Sequence, residues 1–388
     1  MSAGLKEKLS PFIDGFYNMA EILPLIIAMC VCSQFSMKAC LITAVIVCIA
    51  YPLFGVKPSY GEFLIAFSAA AVYGTGTAFT GMLLCSVIML AVSFLDYSKL
   101  KNALYSPAVA GLMLGFAIYM IVMQTTVYFG IGATGGTAVE MFKSYRSLGF
   151  HANWRGVLYG TIVLVLMIVY RRKFRNFSKK ISAPFWCVVF SIILNLFLIP
   201  SADNSPISEI GNYSLKPGFI FSRSFAEIDI IGAVITGASL CFYILYRISR
   251  YENAPLKSEK FGAASVMLIS SVFGALPPVP CERKTKSKKD TAVVILTSVI
   301  LSVIILILLH PLIERLPLPS ASVILIIGMW QQIEWKFFKE TIKSGVISIS
   351  AFLIIFAVTL LLNPNIAVII SAFYCAAYKL KNRKIIKE

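Results

Sequence analysis

YPLFGVKPSYGEFLIAF, residues 51–67, closes one apolar stretch and opens another, and between them Gly55, Pro58 and Gly61 break the chain. Proline removes a helical donor and glycine frees the backbone, so a helix ends here and a short one begins, over 62–73. GALPPVPCERKTKSKKD, residues 274–290, repeats the device about 220 residues later, with Gly274, Pro277, Pro278 and Pro280 ahead of Glu282. Paired interruptions in corresponding places of two halves point to an inverted repeat, with a binding site where the broken helices meet. The plainer alternative is two tight cytoplasmic turns.

The rest of the chain fits a membrane. Its 388 residues are 58% hydrophobic and 14% charged, with a mean hydropathy of +0.83. The clearest apolar stretches are 37–54, 76–95, 107–129, 155–170, 184–200, 230–246, 291–312, 319–333 and 346–378, the last broken at Asn363-Pro364-Asn365. About 20 apolar residues cross a hydrocarbon core of about 30 Å. Shorter pieces near 16–33, 60–73, 259–273 and 275–282 raise the count to as many as fourteen segments. The opening MSAGLKEKLSPFIDG has no apolar core before a small-residue cleavage site, so it reads as a polar lead-in rather than a signal peptide.

Charge orients these segments. The net charge is +17, yet the basic residues sit in short connections and form no soluble basic domain, which speaks against nucleic acid and for anionic lipid headgroups as neighbours. With a cytoplasmic N-terminus, 28 of the 35 basic residues fall inside, Lys57 among them; Lys38, Lys143, Arg146, Arg155, Lys216, Arg223 and Arg315 fall outside. The positive-inside bias thus places both termini in the cytoplasm, most simply of a bacterial inner membrane. Two longer connections, 130–154 and 201–228, lie outside.

Enzymatic chemistry finds no support. There is no HExxH, no GxSxG and no acidic cluster; the nine cysteines lie almost all in apolar stretches without zinc spacing, and the two histidines sit at segment ends. No cofactor and no metal is expected. The glycines of AAAVYGTGTAFTG (69–81) read as close helix packing, and GIGATGG (130–136) as an outer loop. Intramembrane carboxylates are costly and normally face a cavity or a partner. Glu21, Glu62 and Glu282 are the candidates. Glu62 reads either as a favourable charge at a helix N-terminus or as a coupling residue.

SPAVAGLMLGFAIYMIVMQ, residues 106–124, resembles the fifth-helix pattern of the sulfate permease (SulP) family of anion transporters, through Pro107, Val109, Gly111, Gly115 and Gln124. SSVFGALP, residues 270–277, resembles the Phe-Gly-Gly-Leu-Pro stretch that leads into that family's tenth helix. ERLPLPSASVILIIGMWQQIEW (314–335) and the final TLLLNPNIAVIISAFYCAAYKL match more loosely. The resemblance implies an all-α polytopic fold of about fourteen segments in two inverted seven-segment repeats. A core would take approximately 16–95 and 228–312, and a gate approximately 103–200 and 317–380. It covers the transmembrane domain only, without the STAS domain common in the family.

The resemblance also implies an anion held between the N-termini of short third and tenth helices, and often a homodimer. Carried over, the binding positions are Gly61 and Phe63 on one side, Cys281, Arg283 and Lys284 on the other, and Met29, with Leu25 and Ala28, on the first helix. The family's acidic residue in the eighth helix falls near Ser239 and Leu240, so no carboxylate occupies it; uncoupled or exchange transport is then more plausible than tight symport, unless Glu62, the coupling candidate, takes its place. The expected function is therefore a secondary transporter of small anions such as sulfate, bicarbonate, chloride or dicarboxylates. Two alternatives stay open: a nucleobase permease of the related fold, which would place a carboxylate in the eighth segment, and a passive anion channel.

Overall fold

The computed structural model describes residues 3–32, 37–94, 106–129, 137–148, 154–173, 181–198, 228–249, 257–280, 291–313 and 316–385. The first half runs α1 (Ala3–Cys32), α2 (Met37–Phe54), β1 (Val56–Pro58), α3 (Tyr60–Tyr73), α4 (Thr75–Val92), α5 (Pro107–Phe129), α6 (Ala138–Leu148), α7 (Trp154–Lys173) and α8 (Ala183–Leu198). The second half runs α9 (Ile230–Ser249), α10 (Lys257–Phe273), β2 (Pro278–Pro280), α11 (Thr291–Leu308), the single turn α12 (His310–Ile313), α13 (Leu318–Gln331), α14 (Trp335–Lys343), α15 (Val346–Leu361) and α16 (Pro364–Ile385).

Five of these helices contain stretches long and apolar enough to cross a bilayer: Leu9–Cys32, Thr75–Val92, Pro107–Phe129, Ile230–Ser249 and Thr291–Leu308. Large apolar side chains stay exposed on them, including Leu296, Ile307 and Leu308 of α11. A water-soluble protein seldom leaves so much apolar surface uncovered; a bilayer is the solvent that accepts it.

The two halves repeat one plan. α2 and α10 both end on a left-handed glycine, Gly55 at φ 64° and Gly274 at φ 71°, a backbone state that a side chain resists. The released helix ends are tied back, Gly55 N–H to Tyr51 O at 2.8 Å and Ala275 N–H to Ser270 O at 2.8 Å. Each turn feeds a three-residue strand. β1 and β2 pair antiparallel, with Val56 opposite Pro280, Lys57 opposite Val279 and Pro58 opposite Pro278. Packing follows the same symmetry: α4 lies against α9 and α10, while α11 lies against α1 and α2. The short apolar piece expected over 275–282 is thus largely the approach to β2 and the strand itself, and the outer connection 130–154 contains a helix, α6.

α1 to α4 and α9 to α11 form one packed group around this crossing, and α5, α7, α8, α13, α15 and α16 form another. Small polar residues stitch helices of the first group together: Asn18 Nδ2 donates to Ser298 Oγ at 3.2 Å, and Cys48 Sγ lies 3.3 Å from Ser302 Oγ. Eight of the cysteines, Cys30, Cys32, Cys40, Cys48, Cys85, Cys187, Cys241 and Cys375, are free and buried, as their place in apolar stretches requires. Among the described residues no cluster of metal-ligating side chains occurs.

Candidate anion site

α3 begins where the strands cross. Ser59 is its N-cap, with an extended backbone (φ −132°, ψ 154°) and no side-chain capping bond. The first helical backbone bond of this turn runs from Phe63 N–H to Ser59 O at 3.0 Å, so the N–H groups of Tyr60, Gly61 and Glu62 belong to the turn that a helix leaves without internal acceptors. Those groups and the helix dipole favour a negative charge at this end.

Two aromatic contacts fix the N-terminus in place. A Cβ at Gly61 would fall inside the phenol of Tyr243, on α9, and a Cβ at Gly328, on α13, would fall inside the phenol of Tyr60. Both glycines are therefore sites of close approach, and α3 is wedged between the two helix groups by rings that only a hydrogen can face. Tyr243 continues the aromatic contact to Phe116 of α5, with centroids 5.5 Å apart.

Of the positions carried over from the family, Met29 is fully buried on α1 and Phe63 is buried in the same apolar cluster, its ring 5.8 Å from that of Phe67. Gly61 and Glu62 occupy the first turn of α3, and Glu62 is wholly inaccessible. No hydrogen bond of good geometry reaches either carboxylate oxygen of Glu62 or Ser59 Oγ among the described residues, but the two side chains are close enough to interact with one another. Arg247, near the end of α9, is the basic group acting on Glu62. Cys281, Arg283 and Lys284 lie outside the described residues. They fall in the ten residues between Pro280 and Thr291, against sixteen between Pro58 and Thr75 in the first repeat.

Ser239, at the eighth-helix position that the family usually gives to an acid, is fully buried. Its Oγ donates to Asn365 O at 2.9 Å. Asn365 in turn donates to Ser68 Oγ at 2.9 Å and Ile65 O at 3.3 Å. Asn365, at the start of α16, is thus tied to α9 through the Ser239 hydroxyl and to α3 through its own amide.

The charge bias puts Lys57 in a cytoplasmic connection, but its Nζ lies 2.6 Å from Oε1 of Glu21. Glu21 stands near the middle of the Leu9–Cys32 stretch, about 17 Å from either end at the helical rise. Lys57 is therefore an interior charge at mid-span. The strand carries it inward because Gly55 and Pro58 turn the chain back into the bundle. The sequence does hold a signal for this pair: two opposite charges, each inside an apolar or broken segment, are one another's natural partner.

The model of the sulfate permease family matches residues 22–358. The chain belongs to that family. Solved structures agree with the fold: the transmembrane domain of a cyanobacterium bicarbonate transporter, BicA, has a TM-score of 0.69 at 18% identity, covering 94% of this chain and 96% of that one. SLC26A9 has a TM-score of 0.66 at 11% identity, covering 95% of this chain and 64% of that one. The murine SLC26A9 anion transporter in its inward-facing state has 0.65 at 10% identity, covering 96% and 69%. The chain thus spans just under two thirds of the first SLC26A9 structure. Among curated proteins none matches. Family membership supports an anion transporter embedded in a membrane and groups this chain with transporters, not enzymes.

Proposed function

We propose that this protein moves small inorganic or carboxylate anions by alternating access, one helix group shifting against the other around the strand crossing. The observation that carries the reading is the buried N-terminus of α3, whose first-turn N–H groups have no acceptor within the helix and whose Ser59 and Glu62 side chains are buried beside them. A buried polar end of this kind costs stability unless a ligand or ion completes it. Met29, Gly61 and Phe63 line the first-repeat side. Arg283 and Lys284, with Cys281 next to the strand, attract the anion from the second-repeat side and raise its local concentration in a salt-dependent way.

Glu62 is the coupling residue in this reading. A carboxylate in an apolar interior is costly and normally faces a partner or a cavity, and Arg247 near the end of α9 is a basic group that acts on Glu62. Loading a proton there with the anion would link transport to the proton gradient. The nucleobase alternative is disfavoured because Ser239, where that fold would need an acid, is engaged with Asn365. Both termini face the cytoplasm by the charge bias, anionic lipids meet the basic connections, and two copies assemble as a homodimer.

The test is uptake of labelled sulfate, bicarbonate, chloride and a dicarboxylate into proteoliposomes, with uracil as the contrasting substrate. Bicarbonate is included because the transporter of similar fold is a bicarbonate transporter. Saturable anion uptake is the expected result. Uracil uptake without anion uptake, or an unsaturating anion conductance, sinks the proposal.

A further inference from the structure

We propose that Asn365 is a latch between the two helix groups, and that the hydrogen bonds it makes across their boundary hold one end state of the transport cycle. This rests on the alternating-access reading above and deepens it by naming contacts that the shift has to break.

The latch starts from a helix end. Asn363, Pro364 and Asn365 interrupt the apolar run 346–378, and α16 begins at Pro364, a first helical position where proline's missing N–H is not needed. Asn363 caps the helix: its Oδ1 accepts the Asn365 N–H at 2.7 Å, and its O accepts the Ala367 N–H at 3.1 Å, as a capping residue does. Capping thus accounts for Asn363. It does not account for the side chain of Asn365, which the helix itself does not need.

That side chain points across the boundary. Its Nδ2 donates to Ser68 Oγ at 2.9 Å and lies 3.3 Å from Ile65 O, both on α3, while Ser239 Oγ on α9 donates to Asn365 O at 2.9 Å. The same Nδ2 is 3.1 Å from Asn363 Oδ1, within its own segment. Asn365, Ser68 and Ser239 are all fully buried. α3 and α9 belong to one packed group and α16 to the other. A hydroxyl at 239 suits this link, because an ionised carboxylate there could not donate to a carbonyl.

These bonds differ in kind from their surroundings. Apolar contacts across the boundary, such as that between the rings of Phe116 and Tyr243, have no direction, so sliding exchanges one for another. A 2.9 Å hydrogen bond is lost in a shift of a few ångströms, and buried groups left without partners are costly. Other polar links between the groups, from Ser182 Oγ to Ala20 O at 2.8 Å and from Tyr246 Oη to Glu334 Oε1 at 3.4 Å, are only part-buried, so water can replace them. The Asn365 bonds therefore favour the state in which they form. No hydrogen bond of good geometry reaches Asn365 Oδ1 or Asn363 Nδ2 among the described residues, which leaves an acceptor and a donor at the same break for the other state.

In alternating access, apparent affinity at each membrane face is weakened by the fraction of protein facing away. The experiment therefore compares half-saturation in right-side-out and inverted membrane vesicles carrying the full chain, using whichever of labelled sulfate, bicarbonate, chloride and a dicarboxylate wild type takes up. Asn365→Leu, which removes the amide bonds to α3, should shift the outside-to-inside ratio by about tenfold, and Ser239→Ala by about threefold in the same direction. Ser298→Ala is the control: it removes a buried hydroxyl bonded to Asn18 within one group, so its ratio should match wild type. Opposite shifts for Asn365→Leu and Ser239→Ala, unchanged ratios in both, or an equal shift in Ser298→Ala overturn the latch and leave anion transport standing. Uptake of none of the four anions by wild type overturns the latch and the transporter reading together. If Asn365→Leu does not fold, Ser239→Ala against Ser298→Ala decides, since lost packing lowers the amount of active protein without moving the ratio.

Discussion

β1 and β2 are the same element met twice, each after a left-handed glycine and each paired to the other, but the segments beyond them differ. β1 leads into a fourteen-residue helix whose first half is largely buried. β2 leads into ten residues, CERKTKSKKD, of which Arg283, Lys284, Lys286, Lys288 and Lys289 are basic. Ten residues of helix would rise about 15 Å, and their composition offers almost nothing to an apolar interior. The two repeats thus share the strand crossing and differ in the sequence that follows it. The first repeat carries the buried donors and the interior charge pair, and the second brings a concentration of positive charge.

Changes in the first repeat should therefore outweigh changes in the second. The largest effect is expected from Gly61→Val. Its side chain would occupy the space of the Tyr243 phenol, and overpacking of this kind costs about 1–3 kcal/mol. Anion flux should be lost and the melting temperature in detergent lowered; normal flux in this variant would break the view that α3 is wedged in place.

Next comes Glu62→Gln. A permanently neutral side chain should leave anion uptake intact but abolish its acceleration by an inward proton gradient, a loss of about tenfold. Gradient-driven uptake that survives the change would show that the proton rides elsewhere. The smallest effect belongs to Arg283→Ala. If Arg283 only enriches anions, half-saturation should rise by about threefold at low salt and converge on wild type near 1 M salt, where screening extends only about 3 Å. A larger, salt-independent loss would place a binding charge in the second repeat and reverse the comparison.

Much of the fold was legible from residues alone. The two breaks and the fold class follow from glycine and proline placement and from family motifs that survive in short form. The proposed lining at Met29, Gly61 and Phe63 rests on those motifs too. The strands were not legible, because three residues are too few to show a period of two. Lys57 escapes the charge bias for a related reason. That bias counts residues between apolar runs, and a broken segment that folds back into the bundle looks, in one dimension, like a loop. The aromatic wedge was hidden more deeply still: nothing in the spacing of Tyr60 and Gly328, or of Gly61 and Tyr243, marks them as neighbours, since only tertiary packing brings α13 and α9 to the same helix end. Ser239 illustrates the opposite case, in which a missing acid was visible but the use made of the hydroxyl was not.

The buried cysteines give the protein a built-in reporter. Eight thiols are enclosed by packing, and the ninth, Cys281, directly follows β2. Labelling of the native chain by a membrane-impermeant thiol reagent would therefore report on Cys281, next in sequence to the second strand, rather than on the enclosed eight. The rate of attachment, measured with and without chloride, tracks that end during turnover without any residue being replaced.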